Sequence, residues 1–200
     1  MNLKNNIILL TRKLPQKIEE RLQKKYTVIL NKSDKKYTYS ELKKKVSDVD
    51  ILVPCISDTI DASIIKAARK LKLISNFGNG VDNLDLITAK ENKVIVTNTP
   101  DVLTEDTADL VLTMILMISR KVLEAQKNLV DGNWSGWGPS ETMGTRVRGK
   151  QVGIIGMGRI GSAVAKRLQT LGMNINYHNR KRLPKKLEKN FGARFYEDLN

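Results

Sequence analysis

The chain has 200 residues, 40 % hydrophobic and 28 % charged, the make-up of a folded globular protein rather than a disordered or fibrous one. Its one cysteine, Cys55, excludes an internal disulfide and a cysteine-built zinc cluster, and with them a secreted disulfide scaffold. The net charge of +14 raises nucleic acid as a partner, but the lysines are spread over amphipathic helices with few aromatic residues between them, so solvated faces are expected and no nucleic-acid partner.

In chain order, Ile7–Leu10 reads as a strand, followed by a helix from near Pro15, a residue suited to a first helical turn. Tyr26–Leu30 is a second strand, and a helix through Leu42 and Val46 leads to a third strand at Ile51–Val53. A helix over 61–70, a strand at Leu71–Ser75, a glycine loop at 78–80, a short helix at Leu84–Glu91 and a strand at Val94–Thr97 complete the series. Alternating units of this size predict a parallel sheet with helices on both faces.

Asn98-Thr99-Pro100 breaks the pattern and opens onto one long helix, with an expected apolar face at Leu110, Met114, Met117 and Ile118. The apolar run Leu110–Ile118 is far shorter than the roughly 20 residues of a membrane span, so it reads as a buried helix and no membrane partner is expected. The amino terminus has no signal-peptide core, and a cytoplasmic protein is expected. Residues 131–149, with Trp134 and Trp137, read as an irregular loop. A second alternating series follows: strand Gln151–Ile155, helix 159–171, strand Asn174–His178, helix 184–190 and strand Ala193–Phe195.

The first of these strands runs into Gly156-Met157-Gly158-Arg159-Ile160-Gly161 and then a helix, a G-x-G-x-x-G in the setting a dinucleotide site needs. Gly156 permits a tight turn, Gly158 lets the backbone approach a pyrophosphate, and Gly161 lets the helix press on the sheet, with amides and helix dipole aimed at the phosphates. After the next strand comes His178-Asn179-Arg180-Lys181-Arg182, with no carboxylate to accept from ribose hydroxyls. Arg180 can fork onto a 2′-phosphate, and Lys181 or Arg182 can add charge. NADP(H) is the expected cofactor, with NAD(H) as the alternative; a basic surface turn is the competing reading.

His178, the only histidine, stands beside the adenosine half of such a site and so away from hydride chemistry. Cys55 has no second cysteine or histidine near it and reads as a packed small residue. Ser75-Asn76-Phe77-Gly78-Asn79-Gly80-Val81-Asp82 can form a nest of backbone N–H groups for a carboxylate, or equally a plain turn.

Taken together, Asn76–Asp82, Val96–Pro100, Thr107-Ala108-Asp109-Leu110 and Gly153–Gly161 resemble the D-isomer-specific 2-hydroxyacid dehydrogenases. The likeness to the glyoxylate/hydroxypyruvate reductase branch rests on Val53–Asp58, Trp134–Pro139 and Tyr177–Arg180, and spans nearly the whole chain. It implies an α/β fold: a flavodoxin-like substrate domain, here 1–98, followed by a Rossmann domain, a doubly wound parallel sheet of which 99–200 would supply the first half. It also implies that Asn79 and Gly80 hold the substrate carboxylate, that Cys55 and Ile56 line the pocket, that Thr107 approaches the nicotinamide, and that Met157–Ile160 meet the pyrophosphate. The substrate would be a small 2-oxo or 2-hydroxy acid, and the long helix and tryptophan loop resemble parts of the family's homodimer.

The family's catalytic arginine, glutamate and histidine fall beyond the third Rossmann strand, so no residue of this chain is given a catalytic role and the chain alone is expected to lack turnover. The expected function is therefore an oxidoreductase fragment that reduces glyoxylate, hydroxypyruvate or a similar acid with NADPH. A catalytically inactive dinucleotide-binding or corepressor-like protein is the alternative.

Overall fold

In the computed structural model, which describes residues 6–199, the chain divides between Val102 and Leu103 into two compact units, where the sequence suggests a division after Asn98. The first unit is built on strands β1 (Ile7–Leu10), β2 (Thr27–Ile29), β3 (Ile51–Val53), β4 (Leu73–Ser75) and β5 (Ile95–Thr97), all parallel in the order β2-β1-β3-β4-β5. That is the flavodoxin-like order. Helices α1 (Gln16–Gln23), α2 (Tyr39–Lys45), α3 (Ala62–Ala67) and α4 (Leu86–Glu91) connect the strands.

Alternation along the strands sends side chains to two cores. Leu9, Leu52 and Ile74 meet Leu42, Val46, Ile64 and Ile65 on one face, while Ile8 and Leu10 meet Leu14 on the other. Burial on both faces is why these strands read as continuous apolar runs. Helix starts are set locally: Thr38, Asp61 and Asp85 each accept a backbone N–H of the first turn, caps worth about 1 kcal/mol each. Asp50, buried at the start of β3, accepts from the Ile7 N–H and from Lys72 Nζ, both within 2.9 Å. Burial alone would raise the Asp50 carboxyl, but these hydrogen bonds and the Lys72 charge outweigh it and hold it low.

The second unit carries α5 (Thr104–Ser119), α6 (Val122–Val130), β6 (Gln151–Ile155), α7 (Arg159–Thr170), β7 (Asn174–His178), α8 (Lys185–Phe191) and β8 (Arg194–Phe195). Its three strands are parallel in the order β6-β7-β8. Val164, Ala165 and Leu168 of α7 are buried with Ala108, Met157, Ile175 and Tyr177, and Arg167 ties α7 to α5 through Glu105 and Asp109. On β6, Val152 and Ile154 are half-buried, whereas Gln151, Gly153 and Ile155 are exposed on the opposite face.

The structure departs from the sequence expectation at three points. The long helix is two helices, because Lys121 adopts a left-handed conformation at φ 53° between α5 and α6. The packed face of α5 is Ala108, Val111, Leu112 and Ile115 rather than Leu110, Met114 and Ile118, which are exposed; only Met117 of the expected face is half-buried. Because α5 is apolar on more than one side from Leu110 onward, its periodicity does not select a face. The run Leu110–Ile118 is accordingly not a buried helix, and among the described residues no helix is long and apolar enough to cross a membrane.

Candidate functional site

In the second unit, β6 ends at Ile155 and the chain turns into α7 through Gly156, whose φ of 97° is open to glycine and strained for other residues. The Gly156 N–H donates to the His178 carbonyl at 2.9 Å, fastening the turn to the end of β7. A Cβ on Gly161 would strike the Gly156 carbonyl, so the first turn of α7 approaches the loop as closely as a bare backbone allows. Gly158, the residue that caps α7, has nothing within 4 Å of the place a Cβ would occupy. That open space before a 12-residue helix fits a pyrophosphate, and it is the observation on which a dinucleotide fits this unit.

Ile155, Gly156, Gly158, His178, Asn179, Arg180, Lys181 and Leu199 line a groove of about 910 Å³. The structure therefore gathers Gly156, Gly158, Asn179, Arg180 and Lys181 of the expected cofactor residues in one place. Arg159 is exposed at the start of α7, Ile160 is half-buried against the core, and Thr107 is half-buried on α5. Met157 is placed differently from its neighbours: its side chain is 2 % exposed in the core, and its N–H donates to Asn179 Oδ1 at 2.6 Å. It braces the loop instead of presenting an N–H to a phosphate.

Arg182, grouped with Arg180 and Lys181 from sequence, forks onto Glu188 at 2.8 and 2.9 Å and lies over the Phe195 ring. Arg180 and Lys181 are exposed and form no ion pair among the described residues. His178 directs Nδ1 to the Tyr196 carbonyl at 3.1 Å. No sequence signal pointed to Glu188, because its partners come together only when α8 folds back on β7.

In the first unit, the loops after β3 and β4 are fastened together by buried amides and a carboxylate. Asn76, 1 % exposed, donates to the Gly80 carbonyl at 2.8 Å and exchanges hydrogen bonds with Asn83 at 3.2 Å. Asn83 donates in turn to the carbonyls of Cys55 and Asp58, both at 3.2 Å. Asp58, also buried, accepts from the Thr11 hydroxyl and from the Cys55 N–H. Thr11, Asp58 and Asn83 were not singled out from sequence, since no pattern marks polar residues this far apart.

This bracing presents Cys55, Ile56, Asn79 and Gly80 together. Ile56 is exposed and packs over Gly78, where a Cβ would collide with it. Asn79 is fixed through Asn98, which donates to its carbonyl at 2.7 Å, and through the Asp101 N–H on its side chain. Among the described residues the Gly80 and Val81 N–H groups donate to no protein acceptor, which suits a small anion such as a carboxylate. The Cys55 thiol is half-buried, and burial with the Asp58 charge pushes its pKa up, so it is held as a neutral thiol.

The chain matches the model of the D-isomer specific 2-hydroxyacid dehydrogenase catalytic domain over residues 8–192. It is 39 % identical to the glyoxylate reductase of Thermococcus onnurineus over 192 residues, 94 % of this chain and 57 % of that one. It is 39 % identical to the glyoxylate reductase of Thermococcus kodakarensis over 198 residues, 96 % of this chain and 59 % of that one. The chain thus spans less than two thirds of the length of these curated relatives. Among solved structures, it resembles the TT0316 protein from Thermus thermophilus, with a TM-score of 0.82 at 36 % identity, over 97 % of this chain and 65 % of that one. It also resembles a glyoxylate reductase from Paecilomyes thermophila, with a TM-score of 0.75 at 28 % identity, over 96 % and 60 % of the two chains.

Proposed function

The chain belongs to the D-isomer specific 2-hydroxyacid dehydrogenase family, and from that membership we propose that it binds NADP(H) in its second unit and a small 2-oxo acid such as glyoxylate or hydroxypyruvate in its first. The observation that carries the cofactor reading is the groove in which an open Gly158 backbone, Arg180 and Lys181 converge. Gly158 and the first turn of α7 hold the pyrophosphate. Arg180 and Lys181 hold the 2′-phosphate, a site where a carboxylate would repel it. Asn179 keeps its place beneath them through the Met157 N–H.

A nicotinamide bound there would supply a hydride to the 2-oxo carbon, the oxygen taking its proton from a separate donor. The chain's own part is to hold the reactants: in the first unit the Asn79 and Gly80 backbone takes the substrate carboxylate and Cys55 and Ile56 wall the pocket, and in the second unit Thr107 faces the nicotinamide. A neutral Cys55 thiol suits a wall and not a nucleophile. His178, fixed on the Tyr196 carbonyl beside the adenosine half, is not the proton donor in this reading. In this reading no residue of the chain takes that role, and the chain alone should show no turnover of glyoxylate with NADPH above the buffer rate in a preparation free of host reductases. A measured rate above that level would contradict this part of the proposal.

In the same reading the working form is a cytoplasmic homodimer. The exposed apolar side chains Leu110, Met114 and Ile118, spaced four residues apart along α5, together with exposed Val122, Leu123 and Trp137, support a second copy as partner.

The cofactor reading is tested by Arg180→Asp, which should weaken NADPH by about 10-fold to 100-fold and leave NADH nearly unchanged. An equal loss for both cofactors would show that Arg180 does not meet the 2′-phosphate.

A further inference from the structure

We propose that Tyr177 and Glu188 are positioning residues that give the chain its preference for a 2′-phosphorylated dinucleotide, by clamping the short segment that carries Arg180 and Lys181. The proposal rests on the dinucleotide reading above and adds to it two residues that never touch the phosphate.

The segment Asn179–Leu183 is anchored at both ends. At its start, the Asn179 side chain accepts the Met157 N–H at 2.6 Å, and the His178 carbonyl accepts the Gly156 N–H at 2.9 Å. At its end, the Leu183 N–H donates to the Tyr177 hydroxyl at 3.0 Å, and that hydroxyl donates to Glu188 Oε1 at 2.6 Å. Glu188 also receives both arms of Arg182. Between the anchors stand Arg180 and Lys181, exposed and without an ion pair among the described residues.

Tyr177 and Glu188 are buried where Arg180 and Lys181 are not. Tyr177 is 1 % exposed and Glu188 9 %, so a phenol and a carboxylate have been taken out of water at a free-energy cost that only full hydrogen bonding offsets. An apolar pair would pack this corner at less cost, but it would leave the Leu183 N–H without a partner and the segment hinged at one end. Forked recognition of a phosphate needs a guanidinium already held in place, because side-chain and loop ordering otherwise subtracts from binding. Arg182, neutralised by Glu188, acts as part of the clamp and not as a third phosphate contact.

The test is isothermal titration of the full 200-residue chain with 2′,5′-ADP and with 5′-AMP, two probes that fill the adenosine half and differ by the 2′-phosphate. Tyr177→Phe removes one hydroxyl and no charge, keeping the ring that packs at 5.3 Å from Phe195. It should lower the ratio of 2′,5′-ADP to 5′-AMP affinity about fivefold while 5′-AMP binding stays unchanged. Glu188→Gln, which still accepts from Tyr177 but cannot balance Arg182, should lower the same ratio, and carries the test if the phenylalanine variant fails to fold. A ratio unchanged in Tyr177→Phe, with the wild-type chain still preferring 2′,5′-ADP, overturns this inference and leaves the dinucleotide reading standing. A ratio that rises in Glu188→Gln overturns it as well, since Glu188 would then be restraining the Arg182 charge and not aiming its neighbours. A wild-type chain that binds the two probes equally overturns both readings at once.

Discussion

Gly158 and Gly161 are both glycine for reasons of space, but the space belongs to different neighbours. At Gly161 the room is taken by the Gly156 carbonyl, so Gly161→Ala overpacks the turn and should destabilise the chain by about 1–3 kcal/mol, read as a lower denaturant midpoint. At Gly158 nothing stands within 4 Å, so Gly158→Ala should change stability by no more than about 0.5 kcal/mol while weakening dinucleotide binding. Loss of stability at Gly158 comparable to that at Gly161 would contradict a cradle held open for a ligand. Glu188 gives a second expectation at this scale. Hydrogen bonds from Arg182 and Tyr177 outweigh its burial and lower its carboxyl from 4.5 to about 2. A carboxyl more acidic in the folded chain than in the unfolded one stabilises the fold above pH 4.5 and loses that contribution as the pH falls toward 2. Thermal melts over that interval should therefore fall more steeply for wild type than for Glu188→Gln, and parallel curves would contradict the assignment.

The strands were the most legible elements, because β1 and β3 are short apolar runs and β6 and β7 alternate between core and solvent, and all four fall where the sequence places them. The helices of the first unit are shorter than expected, with α3 stopping at Ala67 and α4 starting only after its Asp85 cap. The α5–α6 break was not legible, since Arg120-Lys121 holds neither glycine nor proline; the chain turns there by putting Lys121 in the left-handed region. A lysine there is strained by roughly 1 kcal/mol, so Lys121→Gly should raise the denaturant midpoint despite losing the exposed Lys121–Glu124 pair, and a lower midpoint would contradict this account of the break. The candidate site divides the same way. The glycine motif and the Arg180-Lys181 pair are contiguous and could be read along the chain. The Asn76–Asn83 amide pair, the Asp58 acceptor and the capture of Arg182 by Glu188 depend on residues brought together by folding.

At the scale of the whole molecule, the charge and the apolar surface point to two kinds of partner. The net charge of +14 favours anionic ligands generally and is screened by salt, so specificity for a dinucleotide has to come from the held geometry at the end of β7. The exposed apolar side chains of α5 and α6 predict self-association: sedimentation equilibrium should give twice the 22.6 kDa chain mass for wild type and a lighter species for Ile118→Glu. A wild-type monomer would contradict the dimer reading without touching the cofactor site. Whether the second unit binds NADP(H) is measured most directly by titrating the full chain with NADPH and NADH at low salt. Saturable binding is expected, with NADPH tighter by about tenfold or more. A folded chain that binds neither cofactor, or that prefers NADH, would contradict that expectation.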